Sequence, residues 1–142
     1  MFLAQKNPQI DLKADKTTAR QARQLAKKNM VIVEGRVQFY FLPESIKMFI
    51  KTNVDEAVKR IWKDLKNKKR NKTRNEANVK NINELKKQIL VRKKSELARY
   101  KKYYNLNHYL AKHYDFILDT SHINAQQAIA KTNDYLQKTL NK

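Results

Sequence analysis

The sequence predicts an α/β domain built on a parallel sheet, and three observations predict it. Residues 30–36, Met-Val-Ile-Val-Glu-Gly-Arg, form a short apolar run that is β-branched at three of four positions. The run ends in an acid, the only glycine of 142 residues and an arginine. Its length and composition suit a strand buried on both faces, as parallel-sheet strands are. Two further short runs, 46–51 and 116–119, have the same character, and helical periodicity fills the stretches between them. Strands alternating with helices argue for layers rather than a bundle.

In chain order, residues 15–28 read first as a helix, with Ala19, Ala22, Leu25 and Ala26 on a weakly apolar side. The strand at 30–34 comes almost at once. Ligands of such sheets bind just past the carboxyl ends of strands. Glu34 and Arg36 stand there, and Gly35 allows close backbone passage or a positive φ; a strand followed by a solvated turn reads equally well. Residues 37–43 suit either a short helix or an irregular segment. After the strand at 46–51, Asn53 opens a helix with Glu56 three residues on, the spacing of a capping box. Val54, Ala57, Val58, Ile61 and Trp62 make its stripe. A long helix runs over 81–104, carrying Ile82, Leu85, Ile89, Leu97, Tyr100 and Tyr104 on one side. After the third strand, Asn124 caps a last helix bearing Ala128, Ile129, Tyr135, Leu136 and Leu140.

Residues 63–74 differ in kind. Lys63, Lys66, Lys68, Lys69, Arg70, Lys72 and Arg74 crowd together, with Asp64 the one acid and Leu65 the one large apolar residue. Such a run is expected to be exposed and mobile. It could grip nucleic acid, close over a nucleotide's phosphates, or serve only as a solvated charge run.

Composition narrows the function. Lys and Arg number 32 against 13 Asp and Glu, a formal charge of +19. That balance favours polyanions, while the abundance of lysine and asparagine also fits a coding bias with no specific role. Without cysteine there is no disulfide frame, thiolate metal site or cysteine nucleophile. No apolar run reaches the length of a membrane span, and no secretory leader is evident. A soluble cytoplasmic protein without membrane association is expected. His108, His113 and His122 lack metal-ligand spacing. Tyr100, Tyr103, Tyr104, Tyr109 and Tyr114 are expected to pack the long helix and its loop rather than to stack bases.

Arg92, Glu96 and Arg99 lie at i, i+4 and i+7, within an arc of about 60° on the long helix. Two guanidiniums ordered by a carboxylate suit a phosphate or a phosphoryl group in transfer. The same spacing also makes an exposed salt-bridge ladder.

Five stretches together resemble the cytidylate kinase family, in its archaeal-type or small-bacterial branch. Asn7-Pro8-Gln9-Ile10-Asp11 is similar to D-P-E-I-D. Arg20-Gln21-Ala22-Arg23-Gln24-Leu25-Ala26-Lys27-Lys28 is similar to R-Q-x-x-L-A-K-K. Val31-Ile32-Val33-Glu34-Gly35-Arg36 resembles V-V-I-E-G-R. Arg92 to Tyr100 with Tyr104 resembles R-x-x-S-E-x-x-R-Y-x-x-x-Y, and residues 114–121 resemble Y-D-x-x-x-D-T-S. They fall in the family's order across nearly the whole chain.

The resemblance implies a P-loop nucleoside monophosphate kinase-like three-layer fold over a single domain, residues 1–142, with a lid at about 63–80. It implies transfer of a phosphoryl group from ATP, with Mg2+, to CMP or dCMP. It assigns Arg36 and Arg20 to the acceptor monophosphate and Glu34 to the neighbourhood of magnesium. Arg92 and Arg99 go to the phosphates of both nucleotides, Glu96 orders them, and Arg60 faces the donor phosphates.

One element of the family pattern is missing. A phosphate-cradling loop of the G-x-x-x-x-G-K-[ST] type needs two glycines, and the family's opening strand, glycine loop and first helix have no counterpart here. The chain therefore reads as the carboxy-terminal two-thirds of a kinase, a truncated frame or a split protein needing a complementing N-terminal segment, and is expected to be inactive alone. The alternative is a basic RNA-binding protein without catalysis, its nucleic-acid contacts weak and unspecific.

Overall fold

The computed structural model describes residues 8–67 and 79–141, with side chains from Leu12 onward. It is mixed α/β and mostly helical, with a small two-stranded parallel sheet among the described residues. The elements are α1 (Pro8–Ala26), α2 (Gln38–Phe41), β1 (Met48–Lys51), α3 (Val54–Lys66), α4 (Ile82–Tyr104), a 3-10 turn (Ala111–His113), β2 (Phe116–Asp119) and α5 (Ala125–Leu140). The chain divides into two compact units. One comprises Met1–Lys47 and Tyr100–Asp115; the other comprises Met48–Arg99 and Phe116–Lys142.

In the first unit, small residues set how closely elements approach. Ala19 and Ala22 of α1 are buried against Leu42, with Val31, Val33 and Phe41 packed around them. Arg23 holds the same elements from outside, pairing with Glu44 and donating to the Phe41 carbonyl at 2.7 Å. A second cluster joins Val37, Tyr100 and Leu106, with Phe39, Phe41 and Tyr104 around it. Between them lies a polar hub. The Asp15 carboxylate accepts from the Gln38 amide at 3.0 Å and the Tyr104 hydroxyl at 3.2 Å.

The expected strand at 30–34 is not a sheet strand. It is extended but makes no ladder among the described residues. Val31 and Val33 turn inward, whereas Met30 and Ile32 are 78% and 91% exposed. The run is therefore covered on one face only, by the shallow alanine side of α1. Residues 37–43 resolve into the one-turn helix α2.

In the second unit, β1 and β2 pair in parallel with Met48 opposite Phe116 and Lys51 opposite Asp119. Parallel pairing requires a crossover, here the chain that holds α3 and α4. The two helices pack through Val58, Leu85 and Ile89, with Val54, Ile61, Trp62 and Leu65 around them. Leu85 is fully buried. Asn53 caps α3 by accepting from the Glu56 N–H at 2.8 Å. The reciprocal half of a capping box is not made there: the Asn53 N–H donates to Ser121 Oγ and Glu56 takes Arg60. Asn124 and Gln127 make the full box at α5.

Phe116 stacks on Tyr135 at 4.3 Å, which seats α5 on β2. The apolar stripe expected of α5 is only partly covered, since Ile129 and Leu140 stay exposed. Lys63 and Lys66 belong to the last turn of α3, where Leu65 between them packs into the helix-pair core. The remainder of the basic run lies outside the described residues. No described helix is long and apolar enough to cross a membrane.

Candidate functional site

Because the strands are parallel, Lys51 and Asp119 end them on the same side. The turns beyond the two strands are short and polar: Thr52-Asn53 before α3, and Thr120-Ser121-His122-Ile123-Asn124 before α5. These turns are bonded to each other. Thr120 N–H donates to the Lys51 carbonyl at 2.8 Å and Thr120 Oγ1 to the same oxygen at 3.1 Å. Thr52 Oγ1 lies 2.6 Å from Thr120 Oγ1, so with the Thr120 proton committed the Thr52 hydroxyl donates. Ser121 Oγ accepts from the Asn53 N–H at 2.8 Å and donates to Asp119 Oδ1 at 2.6 Å.

Asp119 is the anchor of this lattice. Its Oδ1 also accepts the Ser121 N–H at 2.9 Å, and its Oδ2 lies 3.4 Å from Lys51 Nζ. The Ser121 hydroxyl and N–H, then Lys51, hold the carboxyl down at about 2, so it is ionised at neutral pH.

A cavity of about 540 Å³ opens beside these turns, lined by Glu56, Arg60, Thr120, His122, Asn124 and the first turn of α5 at Ala125 and Ala128. The N-termini of α3 and α5 border this end of the sheet and bring partial positive charge. Arg60 spans one wall. Its Nε donates to Glu56 at 2.8 Å, and its Nη2 to the Thr120 carbonyl at 2.7 Å. The guanidinium is thus committed to joining α3 to the turn after β2, with one face toward the cavity.

Arg92, Glu96 and Arg99 share the side of α4 that carries Leu85, Ile89 and Tyr100, by the helical repeat of about 100° per residue. Glu96 and Arg99 are accordingly half-buried, while Arg92 is exposed, and all three already interact with other residues. The spacing alone left an outward salt-bridge ladder open. Burial draws Glu96 and Arg99 inward and leaves Arg92 at the surface.

The remaining expected site residues lie in the first unit. Arg20 projects from the exposed face of α1 beside Lys13 and Lys16, around a groove of about 520 Å³ that also takes in Leu12 and Thr17. None of the three cations has an acidic partner among the described residues. Lys13 and Lys16 were not singled out from sequence; their i, i+3, i+7 spacing with Arg20 was the available signal. Glu34 and Arg36 are exposed at the end of the extended segment. The residues expected at the site thus divide between the units: Arg20, Glu34 and Arg36 in the first, and Arg60, Arg92, Glu96 and Arg99 in the second.

Magnesium of the kind that accompanies ATP needs few protein ligands, since phosphates and water supply most of its octahedron. No trio of His, Asp or Glu groups could hold an ion among the described residues, and Asp119 is committed to Ser121 and Lys51. Glu34, exposed at the segment's end, fits the role of a single carboxylate beside an ion that a nucleotide carries in.

No family model matches the chain, and no solved structure matches it. Over 118 residues, 83% of its length, it is 32% identical to a cytidylate kinase of Methanothrix thermoacetophila. The resemblance drawn from the five motifs therefore extends to a curated relative, at a distance. The chain spans 59% of that relative's length.

Proposed function

We propose that this chain supplies the acceptor side and the sheet-end turns of a cytidylate kinase-like phosphotransferase, which converts ATP and CMP or dCMP to ADP and the diphosphate. One observation carries the reading. Two parallel strands end beside a cavity bordered by two helix N-termini and an arginine, the place where open α/β sheets take their ligands. The identity with a cytidylate kinase supports the substrate class.

In this reading the whole chain is one domain of the P-loop nucleoside monophosphate kinase-like fold, with a lid over about 63–80. Arg36 and Arg20, with Lys13 and Lys16 beside Arg20, take the acceptor monophosphate. Arg92 and Arg99 neutralise the oxygens of the phosphoryl group as an acceptor oxygen attacks and the ADP oxygen departs. Glu96 keeps the two guanidiniums in register. Such transfer is mostly positioning and charge neutralisation, and arginine's planar fork suits both. Arg60 fixes the donor-side turn. Glu34 would stand beside magnesium carried in with ATP, and the ion would supply further neutralisation of phosphate charge. A chain with one glycine has no glycine-rich phosphate cradle of its own. A strand–loop–helix segment that complements these residues supplies the cradle, and the cytoplasm provides the nucleotides.

Calorimetric titration tests the acceptor assignment without requiring turnover. CMP and dCMP are expected to bind more tightly than AMP, and Arg36→Ala with Arg20→Ala to abolish the preference. Equal affinity for all three nucleotides, unaltered by both substitutions, would refute the reading.

A further inference from the structure

The outward face of α4 plays no part in the proposed site. Lys87, Lys94 and Lys101 stand on it at heptad spacing, all exposed, and none has an ionic partner among the described residues. At about 100° per residue they fall within an arc of about 40°, roughly opposite Leu85 and Ile89. They lie about 10 Å apart along the axis. No acid interrupts the row: Leu90, Val91 and Ala98 flank it and are also exposed.

We propose that this lysine row is a contact surface for the phosphate backbone of single-stranded RNA, read without regard to sequence. An evenly spaced row of unpaired ammonium groups matches a polymer of evenly spaced phosphates, each contact gaining by release of condensed counterions. Lysine is a point charge rather than a planar fork, so the row selects charge and not base edges. No aromatic side chain lies between the lysines for bases to stack on, which removes the usual source of base preference. An anionic membrane fits less well. An interfacial helix buries its broad apolar face in lipid, and the apolar side of α4, with Leu85 and Ile89, is already buried in the protein's own core.

The surface is independent of the nucleotide site, and its test does not touch that site. The full chain is titrated with a labelled polyuridine oligonucleotide at several salt concentrations, and the logarithm of affinity is plotted against that of salt. Lys87→Gln, Lys94→Gln and Lys101→Gln together are expected to reduce the slope by about 2, at about 0.7 per lost contact, and to weaken binding about a hundredfold near 0.1 M salt. A control with the same charge change elsewhere, Lys28→Gln, Lys112→Gln and Lys131→Gln, is expected to leave the slope nearly unaltered. Equal loss in both triple variants would reduce the effect to net charge and overturn the assignment. So would binding to phosphatidylserine vesicles that depends on the three lysines while polyuridine binding does not. Circular dichroism of both variants checks that α4 remains folded.

Discussion

A β-carbon added to Gly35 would lie 2.5 Å from Cγ of Gln38. The φ of this glycine is not positive, so its small size, not its backbone freedom, is what the position requires. Gln38 cannot swing aside cheaply. It is buried, and its amide donates to Asp15. Gly35→Ala is expected to destabilise the protein by about 1–3 kcal/mol, the range of overpacking a filled site. Chemical denaturation measures the loss. Adding Gln38→Ala should recover part of it; a double variant no better than the sum of the singles would show that the two residues do not collide.

The core of the helix pair rests on Leu85, which no solvent reaches. Leu85→Ala is expected to cost about 2–5 kcal/mol, read from the shift in denaturant midpoint. A loss well under 1 kcal/mol would mean that α3 and α4 do not pack through this residue.

Arg60 joins α3 to the turn after β2 through the Thr120 carbonyl and Glu56. Arg60→Ala should cost about 1–2 kcal/mol, given hydrogen bonds from a charged donor that is partly exposed. Arg60→Lys should restore little of it, because an ammonium cannot span Glu56 and a carbonyl at once. Full rescue by lysine would leave charge, not geometry, as what the position needs.

Asp119 makes stability depend on pH in acid. Its carboxyl is depressed to about 2 in the folded chain, against about 3.9 when unfolded. The contribution is complete above pH 4 and is lost as pH falls toward 2. Ser121→Ala removes the first cause of the depression, so the Asp119 carboxyl should titrate closer to the ordinary range by NMR. An unmoved titration would assign the depression to the Ser121 N–H and Lys51 instead.

The chain alone is expected to show no CMP kinase turnover in a coupled assay with ATP and magnesium. Turnover within the usual enzyme range of roughly 1–10³ per second would overturn that. Supplied in trans with a strand, glycine-loop and helix segment, activity should appear and depend on Arg36 and Arg99. Arg36→Ala and Arg99→Ala should each cost about 2–4 kcal/mol of transition-state stabilisation, the scale of one preorganised donor. A complemented enzyme indifferent to both would refute the site.

Local chemistry determined much of this protein from its sequence alone. Asn53 and Asn124 cap helices wherever they stand, because a short side chain meets the free N–H groups one turn on. The long period of Leu85, Ile89 and Tyr100 similarly announces α4. Tertiary packing decided the rest, because it depends on what each apolar face meets. Residues 30–34 have the composition of a doubly buried strand, yet only one face finds a partner, so Ile32 stands in solvent. Glu56 has the spacing of a capping box, but Arg60 claims its carboxylate and Ser121 claims the Asn53 N–H. Arg92, Glu96 and Arg99 have a spacing that fits either face of a helix, and the burial of Leu85 and Ile89 on their side leaves Glu96 and Arg99 half-buried while Arg92 stays exposed.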